Sequence, residues 1–200
     1  MTIGQRFARV TTDIVVRMPW LWRLFRRPMR SQFDRLAPTW DTLRYPDFLA
    51  PVEAALDRLP AAPPRVLDVG TGTGAAARLA GGRFPDATIV GVDLSERMLD
   101  EARRQSDSAQ ITYRAADAEH LPFDDASFEL VLLSNMIPFF DELARVVTSQ
   151  GHLVVAFSGG AETPIYVPPA RLRRELERRG FAEFAELSAG RGTAFIARKG

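Results

Sequence analysis

The chain has 200 residues, of which 46% are apolar, so it is long enough for one domain with a single hydrophobic core. It contains no cysteine, which excludes disulfides, zinc–thiolate sites and a catalytic thiol. Its 26 basic and 25 acidic residues leave a net charge of +1, which gives no general argument for nucleic-acid binding.

The first 45 residues are predicted to form an N-terminal helical segment. Residues 1–30 hold seven arginines and one acid, Asp13, and residues 14–30 mix aromatic side chains with arginines. Two interpretations fit this pattern: a lid whose aromatic residues pack on the domain, or an interfacial helix that contacts anionic lipid or a lipid-like substrate. Arg17, Pro19 and Arg23 interrupt the apolar stretch, so neither a membrane span nor a signal peptide is expected.

Residues 46–200 are predicted to form the main domain, in which strands and helices alternate. The strands are expected at 65–69, 88–92, 111–115, 128–133 and 152–157, with a closing pair at 181–187 and 193–198. Helices are expected at about 47–59, after the strands at 65–69 and 88–92, at about 139–147 and at about 169–179. This order predicts an α/β fold with a doubly wound, mostly parallel sheet.

The most informative segment follows the first of these strands. Asp68 lies near the strand end, and Gly70, Thr71, Gly72 and Gly74 follow it. Glycines let the backbone turn sharply and let a ligand touch it, and the turn directs free N–H groups at that ligand. The same spacing also satisfies the dinucleotide pattern, so the loop alone does not distinguish the two kinds of ligand.

Two further carboxylates follow the next two strands. Asp93 comes after the second strand and suits the two hydroxyls of a ribose, because a carboxylate accepts two hydrogen bonds. Asp117, after the third strand, is placed to reach an adenine amino group, and Asp68 is placed to hold a cationic amino group. S-adenosylmethionine carries all three groups and no phosphate, and is therefore the predicted cofactor.

These segments resemble the successive motifs of class I S-adenosylmethionine-dependent methyltransferases, in the family's order and spacing. The similarity covers about residues 33–200, and segments 33–41 and 117–123 are most similar to the small-molecule methyltransferases of quinone and lipid biosynthesis. The resemblance implies a Rossmann-like, seven-stranded sheet with an antiparallel last strand. It also places Trp40 near the methionine end of the cofactor, where the family has a tyrosine.

The residues expected to contact the cofactor come mainly from the loops that follow the strands. The predicted set is Trp40, Asp68, Gly70, Thr71, Gly72, Gly74, Asp93, Leu94, Met98, Asp117, Ala118 and Ser134. Leu94 and Met98 are assigned to the walls of the adenine site, although core packing fits their pattern equally well. No metal site is expected.

The sequence identifies no general base. Asn135, at the end of the fourth strand, and His120, near Asp117, are the two candidates, whereas His152 is expected at the opposite end of the sheet. Many relatives carry a histidine pair after the fourth strand. This chain has the apolar run 136–140 there, which suits an apolar or aromatic acceptor.

We therefore expect a methyltransferase that transfers a methyl group to a small, apolar or aromatic acceptor by in-line displacement. A nicotinamide-dependent reductase and a catalytically inactive cofactor-binding partner subunit are the alternatives. The expected partner is a small-molecule acceptor and not nucleic acid. The expected location is the cytoplasm, with peripheral lipid contact through residues 14–30 as a further expectation, and the oligomeric state is left open.

Overall fold

The computed structural model describes residues 3–200, with side chains from residue 8 onward, so residues 1 and 2 of the predicted N-terminal segment lie outside the described residues. The helices are α1 (Ile3–Arg17), α2 (Trp22–Leu36), α3 (Ala50–Leu56), α4 (Ala75–Arg83), α5 (Glu96–Arg104), α6 (Phe140–Val146) and α7 (Pro169–Glu177). The strands are β1 (Arg65–Val69), β2 (Thr88–Asp93), β3 (Ile111–Ala115), β4 (Phe128–Ser134), β5 (Val147–Phe157), β6 (Phe181–Ala189) and β7 (Gly192–Lys199).

The strands form one seven-stranded sheet in the order β3-β2-β1-β4-β5-β7-β6. Strands β1 to β5 run parallel to one another, and β7 is antiparallel to both β5 and β6. The predicted doubly wound α/β fold with an antiparallel last strand is confirmed. From β1 the strand order continues to one edge of the sheet through β2 and β3, and from β4 it continues to the other edge. The crevice between the carboxyl ends of β1 and β4 is therefore the switch point where such sheets bind ligands.

The central strands are buried on both faces, as their uninterrupted apolar sequences predict. Leu130, Val131, Leu132 and Leu133 of β4 all lie in the core. One face is covered by α3 and α4, and the other by α1, α2, α6 and α7. Parallel strands need such cover because both of their faces are apolar.

The N-terminal segment is packed into this core. Val15, Val16 and Trp22 belong to the same buried cluster as Val69 and Val131 of the sheet. Within the described part of the chain, no helix is long and apolar enough to cross a membrane.

Helix α1 also contacts the connection between β5 and α7. Arg9 donates to the carbonyl oxygens of Ala161 and Thr163 over 2.8 and 3.2 Å. The N-terminal segment therefore lies beside the connection that follows the carboxyl end of β5.

The largest differences from the predicted element boundaries are in β5 and α3. Strand β5 begins at Val147, five residues before His152, because Val147 pairs with Phe128 ahead of a register shift in β4. The polar residues 148–151 concealed this start in the sequence. Helix α3 is shorter than predicted and begins at Ala50, with Pro51 in its first turn.

Candidate functional site

The glycine loop between β1 and α4 forms the centre of the site. Gly70, Gly72 and Gly74 have φ values of +71°, +55° and +80°, a region that side chains with a Cβ rarely adopt. The amides of Gly70 and Thr71 donate to the carbonyl oxygen of Val92 over 2.8 and 2.9 Å, which fixes the loop against the end of β2. The loop is thus rigidly held at the switch point.

Asp93 connects this loop to the next helix. Its carboxylate accepts hydrogen bonds from the amides of Gly72 and Ser95, both at 2.9 Å, and burial raises its pKa. A carboxylate has about four acceptor positions, so two remain for the hydroxyls of a ribose. Ser95 caps α5 by accepting from the amide of Met98 over 3.2 Å.

Asp68 is a buried carboxylate with an unused acceptor. It is 1% exposed, and one oxygen accepts from the Thr71 hydroxyl over 2.6 Å. The other oxygen, Oδ1, has no hydrogen-bond partner among the described residues. Burial raises the pKa of Asp68 to about 6 although the Thr71 bond lowers it. An unsatisfied buried acceptor is costly, and a cationic amino group from a ligand would satisfy it.

Asp117, the predicted adenine contact, is held by the N-terminal segment. The indole N–H of Trp22 donates to its Oδ1 over 2.8 Å, and the amide of Glu119 donates to the same oxygen over 3.1 Å. Arg26 lies 3.7 Å from Oδ2. Trp22 is 4% exposed and packs edge-to-face on Phe139, with ring centroids 5.5 Å apart. The sequence pattern suggested a packed aromatic here, but not its partner.

Two more acids of the N-terminal segment bind the loops that carry the predicted cofactor residues. Asp34 accepts from the hydroxyl of Ser95 over 2.6 Å. Asp41 accepts from Thr73 and Gln105, both at 2.7 Å, and pairs with Arg44 at 2.7 Å. Burial acts to raise the pKa of Asp41, but the two hydrogen bonds and the charge of Arg44 outweigh it, so the pKa is lowered.

Trp40 and Arg44 cover Gly72. A Cβ atom placed on Gly72 would lie 3.5 Å from Nε1 of Trp40 and 3.7 Å from Nη2 of Arg44. Trp40 is oriented by an edge-to-face contact with Phe33, with ring centroids 5.6 Å apart. Trp40 therefore lies over the glycine loop, together with the cation of Arg44. Its contact with the methionine end of the cofactor stays a prediction.

The other predicted cofactor residues line the same edge of the sheet. Leu94 is half-buried after β2, Ala118 is buried beside Asp117, and Ser134 ends β4. Met98 is 1% exposed, so it takes part in core packing under α5. Whether any of them touches a ligand remains a prediction.

Asn135 and His120 have different environments. Asn135, at φ +54°, binds Ser158 twice: its Nδ2 donates to the hydroxyl and its Oδ1 accepts from the amide, both at 2.9 Å. These bonds tie the ends of β4 and β5 together. His120 has an exposed side chain on the loop after Asp117. His152 pairs with Leu130 near the amino end of the sheet, beside a groove of about 800 Å³ on the side away from the glycine loop.

Most of the apolar run after β4 is buried in the core and does not form an open wall. Ile137, Phe139 and Phe140 are buried in the main cluster, so the expectation that this run faces an acceptor needs correction. Met136 instead packs on the glycine loop, since a Cβ on Gly70 would come within 2.8 Å of its sulfur. The ring of Phe139 is covered by Trp22 of the N-terminal segment, a contact that a local pattern does not reveal.

Comparison with known proteins identifies the domain. Residues 66–153 match the family model described as "Methyltransferase domain". The demethylmenaquinone methyltransferase of Thermus thermophilus is 36% identical over 140 residues, 62% of this chain and 62% of that protein. The malonyl-[acyl-carrier protein] O-methyltransferase of Geobacter sulfurreducens is 33% identical over 149 residues, 67% of this chain and 54% of that protein. The chain thus spans less than two thirds of the length of these relatives.

Solved structures share the fold. A SAM-dependent methyltransferase from Aquifex aeolicus has a TM-score of 0.67 at 17% identity, covering 81% of this chain and 97% of that one. Human N-acetylserotonin methyltransferase, solved in complex with SAM, has a TM-score of 0.64 at 17% identity, covering 86% and 56%. From the matched segment, the sheet order and the glycine loop, we conclude that this chain contains a class I, S-adenosylmethionine-dependent methyltransferase domain.

Proposed function

We propose that this protein transfers a methyl group from S-adenosylmethionine to a small, apolar or aromatic acceptor. The observation that carries the proposal is the placement of Asp68, Asp93 and Asp117 at the carboxyl ends of three adjacent strands. The free buried oxygen of Asp68 fits an ammonium group, and Asp93 keeps acceptor positions for a ribose. Among the described ion pairs, Oδ2 of Asp117 has one partner, Arg26, at 3.7 Å. This oxygen can therefore still accept from an adenine amino group.

The bound cofactor supplies a methyl group that its sulfonium charge already activates. The protein then has to hold the donor, orient the acceptor in line with it and exclude water. The rigid glycine loop, fixed by Val92 and Asp93, performs the first task in this proposal. None of these tasks requires a strong base, which agrees with the structural use of Asn135.

The N-terminal segment acts in this proposal as the lid of the site. Trp22 binds Asp117, Asp34 binds Ser95, and Asp41 binds Thr73, so residues 22–44 contact three loops of the predicted cofactor site. Gly72 is buried under Trp40 and Arg44. The lid has to shift for the cofactor and the acceptor to enter, and it excludes water once it closes over them.

The acceptor class is argued from the site and from the relatives. The two relatives named above act on demethylmenaquinone and on malonyl-[acyl-carrier protein], as their names state. A quinol or phenol is the acceptor class that we favour, because its hydroxyl is acidic enough to react with only modest help from a base. Such apolar acceptors partition into membranes.

Labelled methyl transfer tests this proposal. The full chain is incubated with methyl-labelled S-adenosylmethionine and separate acceptors: a naphthoquinol, simple phenols and a malonyl thioester. We expect labelled product and demethylated cofactor in equal amounts with a quinol or phenol, and neither with the Asp93→Ala variant. Cofactor binding without turnover on any acceptor or in a lysate would instead support the inactive partner subunit. Tighter binding of a nicotinamide cofactor would support the reductase.

A further inference from the structure

The turn between α1 and α2 presents large apolar side chains to solvent. Met18 is 41% exposed, Trp20 is 65% exposed and Leu24 is 69% exposed. They lie within seven residues of each other at the end of α1 and the start of α2. Large apolar side chains exposed this close together commonly mark a binding surface.

These side chains are not needed for packing the helix. The opposite face of α2 already supplies the core contacts: Trp22 is buried, and Phe25 and Met29 pack against the main cluster at helical spacing. Trp20 and Leu24 point away from that face. Leu24 is thus exposed on the side of α2 away from the core, and Met18 and Trp20 are exposed in the turn before it, so the core uses none of the three.

Three arginines surround the exposed patch. Arg17, Arg23 and Arg27 are exposed, and none has a carboxylate within ion-pair distance in the described part of the chain. The neighbouring Arg26 and Arg30, in contrast, face Asp117 and Asp34. The patch thus combines apolar side chains with cations that form no ion pair with any acid among the described residues.

We propose that this surface, the α1–α2 corner formed by Arg17, Met18, Trp20, Arg23, Leu24 and Arg27, docks on a bilayer that contains anionic lipid. An indole ring is suited to the boundary between headgroups and acyl chains, and arginines bind lipid phosphates. Unpaired basic residues near an anionic leaflet are attracted to it. A second copy of the chain fits less well, because it would bring two arginine clusters together.

The corner lies next to the covered site. Trp20 is exposed two residues before Trp22, which is buried and donates its indole N–H to Asp117. Docking here would place the lid at the membrane surface, where an apolar acceptor is concentrated. This last step rests on the proposed function, whereas the docking itself does not.

Co-sedimentation of the full chain with lipid vesicles tests the docking. We expect binding to phosphatidylcholine vesicles in which about a third of the lipid is phosphatidylglycerol, and little binding to phosphatidylcholine alone. Raising the salt from about 0.05 M to 0.5 M should weaken binding, because the attraction between surface charges is screened.

Matched variants identify the surface. The pair Arg23→Gln/Arg27→Gln should weaken binding about tenfold or more, whereas Arg58→Gln/Arg97→Gln, an equal charge change on exposed residues elsewhere, should have little effect. Likewise, Leu24→Ser should weaken binding, but Leu43→Ser, at a position 60% exposed, should not. Equal effects of the paired variants, or equal binding to neutral vesicles, would overturn the proposal.

Two further measurements separate the outcomes. Self-association that Trp20→Ser abolishes, seen as a concentration-dependent mass, would mean that a second copy covers the corner, and this too would overturn the proposal. The Asp93→Ala variant should bind vesicles as the wild type does. Vesicle binding therefore stands or fails separately from methyl transfer.

Discussion

Trp22 donates its indole N–H to the carboxylate of Asp117 over 2.8 Å, although the two residues are 95 positions apart in the chain. Asp117 is also the residue predicted to accept from an adenine amino group. One carboxylate thus holds the N-terminal segment on one oxygen and is available to a ligand on the other. In the function proposed above, closing the lid and recognising the adenine would therefore depend on the same side chain.

The first prediction concerns this hydrogen bond. Trp22→Phe keeps an aromatic ring in the core but removes the donor to Asp117. We expect a loss of about 1–2 kcal/mol in the free energy of unfolding, measured with urea, because Asp117 is only partly shielded from water and keeps the Glu119 amide. Stopped-flow association of S-adenosylhomocysteine should become faster, since the lid is held less firmly.

Trp20→Phe is the matched control for this variant. Trp20 is 65% exposed and is not part of the core, so the free energy of unfolding should stay within about 0.5 kcal/mol of the wild type. If both variants leave stability and association rate unchanged, the bond from Trp22 does not hold the lid.

The second prediction concerns ribose recognition. Asp93→Ala should weaken the binding of S-adenosylhomocysteine, measured by calorimetry, by about tenfold or more, because the ribose hydroxyls lose their acceptor and the Gly72 amide loses its anchor. Asp93→Asn keeps one acceptor and should have a smaller effect. Asp86→Ala, on an exposed loop, is the control. Unchanged affinity in a folded Asp93→Ala protein would place the ribose elsewhere.

The third prediction concerns pH. Burial raises the pKa of Asp68 to about 6, so between about pH 4 and pH 6 the folded protein binds more protons at this residue than the unfolded chain does. Stability contributed by the protonated form is therefore lost as the pH rises through this window. Asp68→Asn removes the ionisation, and its stability relative to the wild type should be about 2 kcal/mol greater near pH 7 than near pH 4.5.

Ligand binding should show the opposite dependence on pH. The ammonium group of S-adenosylhomocysteine requires the ionised form of Asp68, so affinity should fall as the pH drops through about 6. Asp68→Asn should bind more weakly near pH 7 and lose most of this dependence. A wild-type affinity that is constant from about pH 5 to pH 7.5 would argue against contact between Asp68 and the ammonium group.

The fourth prediction concerns the glycine loop. Gly72→Val should abolish cofactor binding, because φ is +55° there and the branched side chain would meet Trp40 and Arg44. Gly82→Ala is the control within α4, since no described atom beyond its chain neighbours and its own helix backbone lies within 4 Å of the added Cβ, and helix propensity should stabilise the protein by about 0.5–1 kcal/mol. Circular dichroism checks that both variants fold; normal binding by folded Gly72→Val would exclude contact of this loop with the ligand.

The sheet and its loops were predictable because their signals are local. An apolar strand followed by alternating glycines identified β1 and the loop, and Asp93 followed from its place after β2. The contacts of the N-terminal segment were not predictable in this way, since Asp41 and Thr73 are 32 residues apart and no period or motif relates them. The start of β5 is concealed for a related reason: residues 148–151 look like a turn, and the pairing of Val147 with Phe128 that begins the strand is a contact across the sheet.

The three tryptophans of this chain occupy three distinct environments: Trp22 is buried, Trp40 is half-buried over the glycine loop, and Trp20 is in solvent. Their emission should therefore report three different events. A blue shift from Trp20 would signal entry into a lipid interface, whereas quenching of Trp40 or Trp22 would signal events inside the crevice. Variants that keep one tryptophan at a time could thus follow membrane arrival and ligand capture separately, in one protein and without an attached dye.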